Sequence, residues 1–144
     1  MPRIQPSSEA ASRRMSNIRQ TGTTAEIAIR QELFRRGFRY RVDFKVLAKP
    51  RRIADVVFPR QKIAIFVDGC FWHGCPDHAT WPKRNAEFWR QKIEANRLRD
   101  TDTNRRLQQL GWTVLRFWEH EDITHAAYII ERYVTATRAR SRVT

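Results

Sequence analysis

The sequence predicts an α/β domain built on a central mixed β-sheet flanked by helices. Three observations carry that expectation. The chain has 144 residues, a length that suits one hydrophobic core. Segments with β-formers or a period of two alternate with segments whose apolar residues recur every three or four positions. The resulting order is helix, three strands, a long helix, a further strand and a last helix, the pattern of a sheet covered by helices. No internal repeat interrupts this order.

Residues 1–20 carry Pro2, Pro6, several serines and Arg3, Arg13, Arg14 and Arg19 with few apolar residues, and read as a basic arm ahead of a domain over 21–137. Thr23-x-x-Glu26 has the form of a capping box, and Ala25, Ile29 and Leu33 follow at helical spacing until Gly37, predicting a helix over 24–36. Phe38, Tyr40 and Val42 alternate with Arg39 and Arg41, which predicts a strand with one basic face. Residues 53–58 and 62–67 are rich in β-formers and flank Pro59-Arg60-Gln61, the outline of a hairpin. After a loop of Gly, Pro, Cys and His, a helix is expected over 85–109, with Asn85 at its start and Gly111 just past its end. Residues 112–118 form a strand candidate. Ile123, Ala127, Ile130 and Val134 then mark a helix over 123–137, leaving 138–144 as a short basic tail.

Lysine and arginine number 28 against 15 acidic residues, a formal charge of +13. Such an excess speaks of polyanionic partners. There is no apolar run of roughly 18 residues and no basic-apolar-small leader, so a soluble, intracellular protein is expected. Cys70-x4-Cys75-x2-His78 puts two thiolates and an imidazole within nine residues, a density that suits a tetrahedral zinc site more than a disulfide. His120, just past the strand at 112–118, is the first candidate for a fourth ligand and His125 the second; four protein ligands would make the zinc structural. The alternative is that the cysteines are small buried apolar residues and the histidines fillers.

A second constellation is acidic. Asp55 interrupts an apolar strand and Asp68 ends the next, so the hairpin brings two carboxylates toward one edge of the sheet. A divalent cation such as magnesium would offset their burial, and in a basic nucleic-acid binder it would suit phosphodiester hydrolysis. The competing reading pairs Asp55 with Arg51 or Arg52 as a structural salt bridge. On the long helix, Trp89, Ile93, Asn96, Asp100, Thr103 and Leu107 share one stripe, so Asn96 and Asp100 are polar residues on the inward face or at its solvated edge. Glu26 reads either as an acidic site residue or as the ordinary N3 partner of Thr23. Phe71-Trp72 stands in a loop between a candidate zinc ligand and His73, suited either to wedging into a base stack or to packing the loop on the sheet.

These residues carry a resemblance. The run Ile65-Phe66-Val67-Asp68-Gly69-Cys70-Phe71-Trp72-His73-Gly74-Cys75, then Glu87-Phe88-Trp89, Lys92-Ile93, Asn96, Arg99-Asp100 and Leu110-Gly111-Trp112-x-Val114-Leu115-x-x-Trp118-Glu119, resembles the very short patch repair (Vsr) endonucleases from about Met15 to Glu121. The resemblance implies a fold related to the PD-(D/E)xK restriction nucleases, a structural zinc and a magnesium-dependent site that nicks one strand 5′ to the thymine of a T:G mismatch left by deamination of 5-methylcytosine. By position, Asp55 matches the central magnesium-binding aspartate and Val67 the residue whose carbonyl binds metal. His73 matches the histidine that activates water, and Asp100 and Glu26 match acidic site residues. Cys70, Cys75, His78 and His120 match the zinc ligands. Phe71, Trp72 and Trp89 match aromatics inserted beside the mismatch, and Met15 resembles a residue of the N-terminal arm that reaches the duplex. Asp68 is a departure, standing where the well-studied member of the family has a histidine. The implied partner is double-stranded DNA containing a mismatch, with mismatch-repair proteins as further candidates; a monomer in the bacterial cytoplasm, associated with the nucleoid, is expected. Two rival readings are a related nuclease of restriction or defence specificity and a zinc-stabilised DNA-binding module that does not cleave.

Overall fold

Helix α1 (Thr24–Arg35) turns Ile29 and Leu33 inward, and both are buried. Gly37 ends it at φ +93°, a left-handed conformation that costs glycine little. Its N–H donates to the Phe34 carbonyl at 3.0 Å while Phe38 N–H donates to the Leu33 carbonyl at 3.0 Å, the paired bonds of a Schellman stop. The computed structural model describes residues 24–69 and 85–143.

The expected strand at 38–42 begins later. Strand β1 spans Arg41–Leu47, because Phe38 and Tyr40 are used by the helix stop and the core. Their rings meet the Phe58 ring edge-on, at centroid separations of 6.2 and 6.4 Å, and Tyr40 Oη donates to the Arg30 carbonyl at 2.7 Å. At Phe38 and Tyr40 the period of two was therefore a pattern of burial, not of strand pairing. The predicted hairpin is present as β2 (Arg52–Phe58) and β3 (Ile63–Asp68), antiparallel, with Val56 opposite Ile65 and Phe58 opposite Ile63. Strand β4 (Thr113–Trp118) runs parallel to β3 over its whole length, from Ile63 opposite Thr113 to Asp68 opposite Trp118. The sheet is thus mixed, in the order β1-β2-β3-β4.

Helix α2 (Ala86–Gln109) precedes β4 and stops as α1 does. Gly111, at φ +87°, donates to the Gln108 carbonyl at 3.1 Å and Trp112 N–H to the Leu107 carbonyl at 2.9 Å. Its inward stripe is the expected one, with Ile93, Asn96, Thr103 and Leu107 buried. Helix α3 (Ile123–Val143) continues six residues past the predicted end at 137. No glycine or proline follows Thr137, and Arg138 to Val143 hold nothing that stops a helix, so the basic tail is largely its final turns.

The sheet is covered on both faces. One face, through Val56, Phe58, Ile63, Ile65 and Val67, packs on Ile29 and Leu33 of α1 and on Ala126, Ala127, Ile130 and Val134 of α3. The other, through Ala54, Val57, Ala64 and Phe66, packs on Leu107 of α2. Each large aliphatic side chain so buried contributes about 1.5–3 kcal/mol. Strands buried on both faces read as continuous apolar runs, as β2 and β3 do. Among the described residues no helix is long and apolar enough to cross a membrane.

Candidate active site

The site forms where β2 and β3 part. Their ladder pairs Val56 with Ile65, and one step further a side chain replaces the backbone: Val67 N–H donates to Asp55 Oδ2 at 2.7 Å. Asp55 is 6% exposed. Burial pushes its pKa up to about 7; the Val67 N–H opposes the rise, the negative charges of Glu26 and Asp68 add to it, and Arg30 opposes it. A carboxylate at the end of a ladder, desolvated but touching a cleft, is poised to accept a cation.

On one side it meets two further acids. Glu26 on α1 and Asp43 on β1 bring carboxylate oxygens within 4.8 Å of one another and of Asp55. Glu26 is fully buried, so it is more than a helix cap, and it pairs with Arg30 one turn on. Arg30 also reaches Asp43 Oδ1 and the Asp55 carbonyl, each at 3.4 Å. Asp43 holds φ +46°, an unfavourable backbone for a residue in a strand. Three carboxylates against one guanidinium leave two negative charges when all three acids are ionised (3 − 1 = 2). That remaining negative charge favours a hard divalent cation such as magnesium, bound through oxygen at Asp55.

On the other side lies a cleft of 410 Å³, lined by Asp55, Val67, Asp68 and Asp100 together with Arg51, Arg52, Arg99 and Arg116. Arg116 on β4 organises this wall. Its Nη1 donates to both Asp68 oxygens at 2.9 and 3.2 Å and stands 3.7 Å from Asp100 Oδ1, while its Nε donates to Asn104 Oδ1 at 2.7 Å. The guanidinium also lies over the Phe66 ring, 4.2 Å from its centroid. Arg52 does not bridge to Asp55: it donates to Thr103 Oγ1 at 2.7 Å and pairs with Asp102 at 3.4 Å, tying β2 to α2. Among the described residues Arg51 forms no bridge to Asp55 either, so the structural salt-bridge reading of Asp55 falls.

The fold thus brings Glu26, Asp55, Val67, Asp68 and Asp100 to one region. Asn96 is buried and accepts from Arg99 at 3.0 Å. Trp89 is half-buried near the start of α2, its ring edge-on to Phe88 at 5.2 Å. His120 is exposed, two residues past Trp118, and Glu119 N–H donates to the Asp68 carbonyl at 3.0 Å. His125 is exposed in the first turn of α3, its N–H held by Asp122 Oδ2 at 2.9 Å. Met15, Cys70, Phe71, Trp72, His73, Cys75 and His78 lie outside the described residues.

Sequence reasoning missed Asp43 and Arg116. An acid inside a β-pattern was the available signal for Asp43, since aspartate is depleted from strands. Arg116 gave no comparable signal, because a lone basic residue on a strand next to a helix is ordinary.

With this geometry in hand, the comparisons with known proteins are specific. The model of the DNA mismatch endonuclease Vsr family matches residues 6–79. The type II nicking enzyme V.NaeI of Lentzea aerocolonigenes is 44% identical over 84% of this chain and 74% of its own length. V.NmeDIP of Neisseria meningitidis serogroup C, also a type II nicking enzyme, is 35% identical over 96% of this chain and 91% of its own. The DNA mismatch endonuclease Vsr of Escherichia coli K12 is 35% identical over 75% and 68%. A four-stranded mixed sheet with three helices and an acidic cleft at the parting of β2 and β3 is the setting in which that likeness falls, and the chain belongs to the Vsr family of endonucleases.

Proposed function

We propose that this chain nicks one strand of duplex DNA on the 5′ side of the thymine in a T:G mismatch, by magnesium-dependent hydrolysis. The observation that carries the hydrolytic part is the buried Asp55, pushed up to about 7 beside Glu26 and Asp43 and opening onto a cleft walled by arginines. Asp55, the Val67 carbonyl and Asp68 would hold magnesium, with Glu26 and Asp43 adding negative charge behind Asp55. When bound, the ion supplies a Lewis acid for the scissile phosphate.

The chain's own groups do the rest. Arg51, Arg99 and Arg116 offer donors to the phosphate oxygens, where charge-assisted hydrogen bonds strengthen as negative charge develops. His73 takes the proton of the attacking water as the new P–O bond forms, and the bond to the sugar oxygen breaks with that oxygen taking a proton from solvent. Asp100, beside Arg116, orients that guanidinium. Phe71, Trp72 and Trp89 select a weakly stacked pair, with Met15 on the arm meeting the duplex from the other side. Cys70, Cys75, His78 and His120 would hold a structural zinc; the register of β3 and β4 supports this, since positions 70 and 120 each follow by two residues a pair of adjacent strand ends.

The test is nicking of duplexes carrying each mismatch in varied contexts, with and without magnesium, for wild type, Asp55→Ala and His73→Ala. Wild type is expected to cut T:G duplexes only with magnesium, and both variants to be at least a hundredfold slower, the scale of losing a general base. Equal cleavage of matched DNA refutes the mismatch assignment. A second reading, a nicking enzyme of another sequence context, is favoured by the relatives named type II nicking enzymes and by Asp68 in place of the histidine of the well-studied Vsr enzyme. The same panel of contexts separates the two.

A further inference from the structure

A second basic cleft lies at the opposite end of the sheet. It has a volume of 620 Å³ and is lined by Arg39, Tyr40, Arg41, Arg60, Gln61 and Arg138, among others. Asp68 and Arg52 mark the end of the sheet that carries the acidic site, whereas Arg41 starts β1 and Arg60 sits in the β2–β3 turn, at the far ends of those strands.

Among the described residues, the four arginines of this cleft lack the acidic partners that many arginines of the domain have. Arg30, Arg35, Arg36, Arg52, Arg105, Arg106 and Arg116 each lie within 4.0 Å of a carboxylate. Among the described residues no carboxylate lies that close to Arg39, Arg41, Arg60 or Arg138. Two of them are instead held by aromatic rings: the Arg39 guanidinium is 3.7 Å from the Phe34 centroid, and that of Arg138 is 5.4 Å from the Phe38 centroid. Stacking fixes their position without cancelling their charge. The Tyr40 hydroxyl is committed to the Arg30 carbonyl, so the floor of the cleft is fixed as well. Four like charges gathered in one concavity repel one another, and a polyanion laid across them removes that cost.

We propose that this cleft binds the phosphodiester backbone of DNA at a place separate from the scissile phosphate. The guanidinium groups come from four different parts of the fold, the turn after α1, β1, the β2–β3 turn and α3, a spread that suits an extended row of phosphates better than a single one. Contacts of this kind hold a protein on DNA without reading its sequence. The inference rests on the DNA-nicking reading only for the identity of the polyanion.

The experiment measures binding of the full chain to a matched duplex, without magnesium, as a function of salt. Arg41→Gln/Arg60→Gln removes two of the charges and spares the two stacked arginines. Its slope of log affinity against log salt is expected to be shallower than wild type by about 1.8, so a fourfold rise in salt costs the variant about twelvefold less affinity. Nicking at saturating duplex is expected to be unchanged, because neither residue lines the acidic cleft. Arg35→Gln/Arg105→Gln, at exposed positions already paired with Glu32 and Asp102, removes the same net charge and is expected to leave the slope alone. An unchanged slope in the first variant, or an equal fall in both, overturns the site. Since the slope is read without cleavage, it decides this cleft even for a chain that nicks no substrate.

Discussion

Replacing Asp55 by asparagine separates what this residue does for the fold from what it does for the reaction. Asparagine keeps an oxygen to accept the Val67 N–H, 2.7 Å from Oδ2, and loses only the charge. The Asp55 pKa rises from 3.8 to about 7, principally through burial. In the unfolded chain it ionises near its ordinary value, so between about pH 4 and pH 7 the native state retains a proton that the unfolded state has released, and stability falls as pH rises. About three pKa units at 1.36 kcal/mol each give about 4 kcal/mol, absent below the lower value and complete above the upper one. Asp55→Asn should match wild type near pH 4 and exceed it by about that amount near pH 8, in denaturant unfolding without magnesium. Saturating magnesium should then stabilise wild type alone, by about 3 kcal/mol at a hundred times its dissociation constant, and narrow the gap. The variant should not nick. Equal stability of the two proteins near pH 8, or a less stable variant there, refutes the account of Asp55 as a desolvated acid awaiting a cation.

Three further outcomes follow from other parts of the molecule. Arg116→Met takes away the guanidinium that grips buried Asp68 and should cost about 3 kcal/mol by chemical denaturation, with Arg116→Lys recovering part of the stability but less of the nicking rate. Gly111→Ala forces a side chain into φ +87° and should lower stability by about 1 kcal/mol, although a Cβ there would meet only the end of the Lys62 side chain, at 4.0 Å. Metal analysis of the purified chain should find about one zinc per molecule, lost together with folded structure in Cys75→Ser; less than about half an equivalent counts against the zinc site.

The elements that sequence reasoning located well are those whose local signals and tertiary roles agree. Both faces of β2 and β3 are covered, so their apolar runs stood out, and Gly37 and Gly111 stop their helices in the left-handed conformation that their positions imply. The displaced start of β1 shows the limit of periodicity. Phe38 and Tyr40 alternate because both pack on Phe58, and alternation alone does not distinguish a strand from a chain leaving a helix. Asp55 and Asp68 were legible as acids on apolar strands, and Asp100 as an acid on the inward stripe of a helix. Asp43 gave only the weak signal of an acid in a β-pattern, because its role depends on lying between flanking pairs, Val42 with Val56 and Phe44 with Ala54, that set it beside Asp55. Arg116 likewise takes its meaning from the parallel pairing of β3 with β4, which no short-range pattern reveals.

One backbone position links the acidic cleft to the segment that the proposed reaction also requires. Val67 gives its N–H to Asp55, and Asp68, the next residue, receives the Glu119 N–H through its carbonyl and Arg116 through its carboxylate. The chain therefore enters the segment of Cys70 to His78 from a point held by β2 on one side and β4 on the other. These bonds fix the point beside Asp55 at which β3 ends. A change at Asp68 or Arg116 should consequently lower the rate of nicking more than the affinity for DNA, whereas loss of an arginine in the far cleft should do the reverse.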